Sequence, residues 1–477
     1  MTPQTRSQST RVELRELIKL AAPIAIAQAG AAMMGIVDTL VVGRAGAVAL
    51  ASVGLASSVF FWFFCLGIGV MLGMDPMISQ ALGAKDPIRA RRLYWLGNRL
   101  AVGIGLVVSL PILVVPFFLE SLGIEHQLVA EARNYLWWRI PSVVPMLWFM
   151  IGRAYLQGLK RPAALVVATV VANVANYFLN VLFVFGGADQ PAWTGLQGIP
   201  ALGASGAAIA SVLCTLLQLG IVALAVRYHR PANLPRDVIA GSPQDTRTAL
   251  RVGLPVGLHM FVEVGVFSVA GILAASMGAA AAGAHQVAIM LASFTFCVAV
   301  GIGNAGSVRV GHAVGAGDTP GARRAGFVAI GTGAGFMGLC GLVLVLFPAQ
   351  VVGLVSSDPE VFGVAVGLMG VAAAFQISDG VQGVGAGVLR GAGDSHFTFR
   401  ANLVGHWLVG APLALLLAWP AGMGVTGLWW GLSAGLTVVA VAVLWRFARL
   451  SRQTIRPLAE QRDPVETPTA GALGETA

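Results

Sequence analysis

Twelve stretches of about 20 or more apolar residues follow one another along this chain, and they limit its fold more than any other feature. They fall at approximately 17–43, 52–75, 93–119, 134–157, 163–186, 203–226, 249–274, 284–307, 325–350, 363–388, 401–420 and 424–447. At about 1.5 Å of rise per residue, each is long enough to cross the hydrocarbon core of a bilayer as a helix. Inside that core every backbone N–H and C=O needs a partner, and a helix supplies them all within one segment. The ten-residue alternating strands of a membrane barrel are absent. Charged residues make up only 11% of the 477, too few to clothe a water-exposed surface, and the 61 glycines suit close helix packing in lipid. The expected fold class is therefore all-α integral membrane.

Several function classes drop out. The four cysteines, Cys65, Cys214, Cys297 and Cys340, lie inside apolar stretches and read as small hydrophobes. Neither a GxxxxGK[ST] loop nor an HExxH motif is present, so the chain brings no P-loop ATPase and no zinc-peptidase site. A GxGxxG match at 301–306 lies within a span with no strand before it, and small-residue packing accounts for it. The expectation is a protein that is not an enzyme and carries no cofactor. The polar, amphipathic beginning has no small-residue cleavage site and reads as a cytoplasmic tail.

Orientation follows from where the basic residues fall. Of the 30 Lys and Arg, 25 lie on alternate connections, including Lys85 to Arg92 after span 2, Arg309 to Arg324 after span 8 and Arg390 and Arg400 after span 10. Both termini are expected in the cytoplasm, and the net charge of +9 is a topology signal, not a nucleic-acid patch. Multi-pass insertion in the inner (plasma) membrane is the expected location.

The two halves repeat. GAKDPIRARR at 83–92 has a counterpart in GAGDTPGARR at 315–324, LQGLKRP at 156–162 in LRGAGDS at 389–395, and Pro23 in Pro255. Six spans per copy is an even number, so both copies enter from the same side and are related by an axis along the membrane normal. The expected organisation is a tail at 1–16, a six-helix lobe at 17–226, a linker at 227–248, a second lobe at 249–447 and a disordered tail at 448–477.

Acids inside spans are costly, at about 2.5–3.5 kcal/mol each on insertion scales, and are therefore functional candidates. Asp38 lies in span 1, Glu263 in span 7 and Asp379 in span 10, and the repeat does not map them onto one another. Such carboxylates either hold an alkali cation through oxygen ligands or take up and release protons. The expectation is that all three face one watery chamber between the lobes. His259, one turn before Glu263, shares its face as a proton partner or as a structural histidine. Asn173, Asn176 and Asn180 form one stripe of span 5, which either coordinates ions or joins helices, and Ser211 in span 6 can join them. Arg153 and Arg139 face either a water-filled cavity or an acid partner, with snorkelling as the alternative for Arg139, and Asp75-Pro76 reads as a helix-end feature.

These residues, in this order, resemble the multidrug and toxic compound extrusion (MATE) family, over about residues 17–447. The resemblance rests on APIAIAQ with Asp38, SQALGAKD, LQGLKRP, the NxxxN of span 5, AHQVA at 284–288, FVE ending at Glu263, and DGVQGVGAGVLRGAGD from Asp379. The three acids together resemble the NorM-like branch. The resemblance implies a V-shaped pair of bundles, a monomer among membrane lipids, that exports drugs and organic cations in exchange for Na+ or H+. It places a cation site at Glu263 and Asp379, a metal site if the ion is Na+, and a first-lobe polar cluster at Asp38, Asn176, Asn180 and Ser211. Two positions depart from some members: Asn180 replaces an Asp, and Phe375 replaces a Tyr. The alternative is a flippase for a lipid-linked or polysaccharide precursor, which would need a cavity rich in basic residues.

Overall fold

The computed structural model describes residues 10–188, 194–229 and 242–461. The outer parts of both expected tails, 1–9 and 462–477, and most of the expected linker, 230–241, lie outside the described residues. Among the described residues there are helices and no strands. In the first half these are α1 (Thr10–Gly43), α2 (Ala47–Leu72), α3 (Met74–Gly83), α4 (Pro87–Val114), α5 (His126–Arg139), α6 (Val143–Gly158), α7 (Ala163–Phe185) and α8 (Gly203–Tyr228). The second half adds α9 (Pro243–Ser276), α10 (Ala279–Gly315), α11 (Thr319–Leu346), α12 (Pro348–Gly353), α13 (Pro359–Gly391), α14 (Ser395–Asn402), α15 (Ala411–Ala418) and α16 (Gly424–Leu450).

Eleven of these helical stretches are long and apolar enough to cross a membrane. The fourth expected span, 134–157, is interrupted: α5 and α6 are joined by a tight 3-10 turn at Ile140–Ser142. Pro141 and Pro145 each remove a backbone donor there, which breaks the regular ladder. Span 2 breaks too, at Gly73 between α2 and α3, just before Asp75-Pro76. Between α14 and α15 the chain winds as a π-helix over Leu403–Gly410. Such insertions often mark functional positions, and this one lies against α9, where the Trp407 indole N–H donates to the Val262 carbonyl at 3.2 Å.

The sequence repeat is a structural repeat. Asp86 caps α4 by accepting from Arg89 N at 2.8 Å, and Asp318 caps α11 by accepting from Gly321 N at 2.8 Å. The turn before each cap needs a left-handed residue, supplied by Lys85 (φ 59) in one copy and Gly317 (φ 72) in the other.

The two halves meet along a seam with the same symmetry: α1 packs on α10, and α9 on α2. Gly69 of α2 lies so close to Gly257 of α9 that neither has room for a Cβ, and the equivalent crossing puts Gly301 of α10 against Ala25 of α1. Nearer the termini, Gly83 meets the His312 backbone and Gly315 meets Gln80. Polar ties close the same edge. Arg309 donates from Nε (2.8 Å) and Nη2 (2.6 Å) to the two oxygens of Glu13, and the His312 ring is 2.8 Å from the Gly158 carbonyl. Arg309 and Arg390, counted above among loop charges, therefore lie within helices, in contact with other helices.

Residues 451–461, expected within a disordered tail, fold back across this seam. Ile455 N donates to Thr319 Oγ1 at 3.3 Å, and Leu458 N donates to Gln80 Oε1 at 2.7 Å. The Gln80 amide in turn donates to the Gly391 carbonyl at 3.1 Å, so one side chain joins the strap and both halves. Leu458 is 6% exposed and packs into the first-half core. Leu458→Ala is expected to cost about 2–3 kcal/mol. A lowered thermal midpoint of the purified chain would show this; an unchanged midpoint would mean that the strap does not hold the seam.

Candidate functional site

Three polar clusters lie within the helices. In the first, α7 carries Asn173, Asn176 and Asn180 at spacings of 3 and 4, which turns all three amides toward α1. Asp38 Oδ1 accepts from Asn176 Nδ2 at 2.8 Å and from Asn180 Nδ2 at 2.6 Å, and Oδ2 accepts from Ser211 Oγ of α8 at 3.2 Å. Asn173 Nδ2 donates to the Gly30 carbonyl of α1 at 2.9 Å. The four expected residues thus come together, and the asparagine stripe does join helices. The carbonyl oxygens of Asn173, Asn176 and Asn180 are buried with no hydrogen-bond donor. The Asp38 carboxylate and the amide oxygens of Asn176 and Asn180 are hard donors on facing helices.

The second cluster centres on Glu263. Its Oε2 is 3.1 Å from His259 Nε2, one turn away on α9, and its Oε1 accepts from Gln382 Nε2 of α13 at 3.3 Å. Asp379, one turn before Gln382, is 6% exposed and within electrostatic reach of Glu263. Gln382 Oε1 is buried without a donor; at the start of the π-helical turn, Asn402 Oδ1 is buried without a donor and its Nδ2 without an acceptor. Gln376, one turn before Asp379, accepts from Thr295 Oγ1 at 2.9 Å. The amides Gln376, Gln382 and Asn402 escape sequence reading because mid-helix amides carry no spacing signature of their own.

The third cluster lies at the seam. A cavity of about 300 Å³ sits between the halves, lined by Glu263, His259 and Gln382 and also by Arg153 of α6 and Arg390 of α13. Asp75, at the α2–α3 break, is 2% exposed, and its carboxylate is 3.7 Å from Arg153 Nη2. It is a buried acid beside a base and more than a helix-end feature. The expectation of three acids in one chamber needs correction. Glu263 lines this cavity, whereas Asp38 and Asp379 do not. Asp38 turns into the first bundle because its three donors sit on α7 and α8, and Asp379 is covered within the second. The Arg139 guanidinium lies 5.2 Å from the centre of the Phe60 ring. Among the described residues, no three His, Cys, Asp or Glu side chains gather as a metal site.

The MatE family model matches residues 23–182 and 255–416, one match in each half and together more than half of the chain. The chain belongs to the MATE family of transporters. Its curated relatives place it on the NorM-like branch. Multidrug resistance protein NorM of Burkholderia vietnamiensis is 36% identical over 441 residues, covering 90% of this chain and 92% of the relative. A probable multidrug resistance protein NorM of Pseudomonas putida is 35% identical over 454 residues, covering 92% and 96%. Among solved structures, the eukaryotic MATE transporter AtDTX14 superposes with a TM-score of 0.80 at 21% identity, covering 93% of this chain and 99% of that one. An outward-facing multidrug resistance MATE transporter gives 0.82 at 20% identity, covering 92% and 96%. At those identities the structures support the MATE fold and nothing finer.

Proposed function

We propose that this chain is a cation-coupled antiporter that exports drugs and organic cations from the cytoplasm by alternating access, with Na+ or H+ as the coupling ion. The observation that carries the proposal is Glu263, a cavity-lining carboxylate hydrogen-bonded to His259 and Gln382, with Asp379 behind it. An organic cation entering the cavity is neutralised by Glu263. A coupling ion arriving at Glu263 and Asp379 competes for the same charge. A proton has the two carboxyls and His259 as acceptors. A sodium ion has the carboxylates and the Gln382 carbonyl oxygen, which has no other partner. Asp38, with the amides of Asn176 and Asn180 and the Ser211 hydroxyl, is a second oxygen-rich site through which the first lobe senses the same ion.

Direction comes from linkage, since an ion can tilt the lobes only by binding one arrangement better than the other. The seam is closed on the side of the termini, which fits the arrangement that releases substrate outside. Arg153 and Arg390 line the same cavity as Glu263, so its wall is mixed in charge and not the wholly basic one that suits pyrophosphate-linked precursors. The NorM relatives, named for multidrug resistance, support the same substrate class.

The test is reconstitution in vesicles with a sodium gradient or a proton gradient imposed separately, following a fluorescent organic cation. One gradient should drive accumulation above the equilibrium level, and vesicles without a gradient should only equilibrate. Equal dye levels under all three conditions would overturn the antiport.

A further inference from the structure

The basic wall of the cavity has a use that the coupling chemistry leaves open. Arg153 and Arg390 line the cavity and are 5% and 8% exposed. Among the described residues, the acid beside them is Asp75, whose carboxylate stands 3.7 Å from Arg153, too far for a hydrogen bond, and within electrostatic reach of Arg390. Arg390 Nη2 donates to Asn304 Oδ1 at 2.8 Å, but Arg390 Nε and Arg153 Nε and Nη2 are buried without any hydrogen-bond acceptor. Two guanidiniums against one carboxylate leave one positive charge uncompensated in a water-poor site, an arrangement that is costly unless an anion completes it. Guanidiniums hold carboxylates well because their planar N–H groups match the two oxygens. Apolar side chains, including Phe61, Leu72, Val256 and Phe296, line the same cavity.

We propose that Arg153 and Arg390, with Asp75 setting their net charge, form an anion subsite, so that the cavity takes amphoteric molecules whose amine lies at Glu263 and whose carboxylate lies at the arginines. The inference rests on the cavity being the substrate site, as proposed above. It adds to that cavity a second, anion-holding contact made by the two buried arginines. The pseudo-symmetry shows that the charges are not a by-product of the repeat: the counterpart of Arg153 is Ala386, that of Arg390 is Gln157 and that of Asp75 is Ser307.

The experiment compares two ligands on the purified full chain by titration calorimetry: an aryl amine bearing a free carboxylate, and its methyl ester, which keeps the amine and the frame. The wild-type chain should bind the acid about tenfold more tightly than the ester. Arg153→Gln and Arg390→Gln should each reduce that ratio to within about twofold of unity. Asp75→Asn, which raises the net positive charge, should increase the ratio, and this guards against loss of folding being read as loss of the subsite. A wild-type ratio near one, or a ratio unchanged in all three variants, overturns the anion subsite while ester binding keeps the cavity as a cation site. Failure of the wild-type chain to bind either ligand overturns the cavity itself and the subsite with it.

Discussion

Replacing Glu263 with Gln or Asp379 with Asn is expected to abolish gradient-driven export while leaving expression intact. The Glu263→Gln change keeps the length and hydrogen-bonding capacity of the native side chain, so contacts to His259 and Gln382 can be rebuilt. What is lost is the charge for which substrate and coupling ion compete. Asp379→Asn removes the second carboxyl without touching the cavity wall, since Asp379 does not line it. Export by both variants should fall to the level of vesicles without protein. Full export by both would remove the second-lobe mechanism.

A second large effect is expected at the seam. A Cβ on Gly257 would sit 2.7 Å from the Leu66 carbonyl oxygen, with the Leu66 backbone atoms next nearest. Backbone cannot rotate away as a side chain can, so Gly257→Leu must push α9 off α2. The closed seam is one of the two arrangements that alternating access requires, and transport should be lost with the protein still folded. The readout is a cysteine placed at Ser79, which is fully buried in the seam, in a chain freed of its four native thiols. Its reaction with a soluble maleimide should be slow in the otherwise native chain and about tenfold faster with Gly257→Leu. Equal rates would show that the glycine crossing does not hold the seam shut.

Sequence reading and structure agree where one physical rule dominates. Acids inside apolar helices are rare enough to stand out singly, and the 3 and 4 spacing on α7 placed Asn173, Asn176 and Asn180 on one face. The donors to Asp38 were legible for that reason. Glu263 and His259 were legible as neighbours one turn apart. The third cluster was not, because its members mean something else in local sequence. Asp75-Pro76 looks like a helix-end feature, and Arg390 looks like a cytoplasmic loop charge four residues before Asp394. Only the crossing of α3, α6 and α13 brings Asp75, Arg153 and Arg390 to one place, and no periodicity within a single helix encodes that crossing. The strap at 451–461 was hidden likewise. Its polar composition reads as tail, while Ile455 and Leu458 fill gaps that exist only once both halves are assembled.

The account turns on one competition: substrate in the cavity against a coupling ion at Glu263 and Asp379. Binding of a fluorescent organic cation to the purified chain, followed by anisotropy while Na+ or H+ is raised, measures it without transport. In the native chain one of these ions should displace the dye, raising its apparent Kd in proportion to ion concentration, and Asp379→Asn should bind the dye but lose the displacement. Dye binding that ignores both ions in the native chain, or a displacement that survives unchanged in Asp379→Asn, would contradict the mechanism.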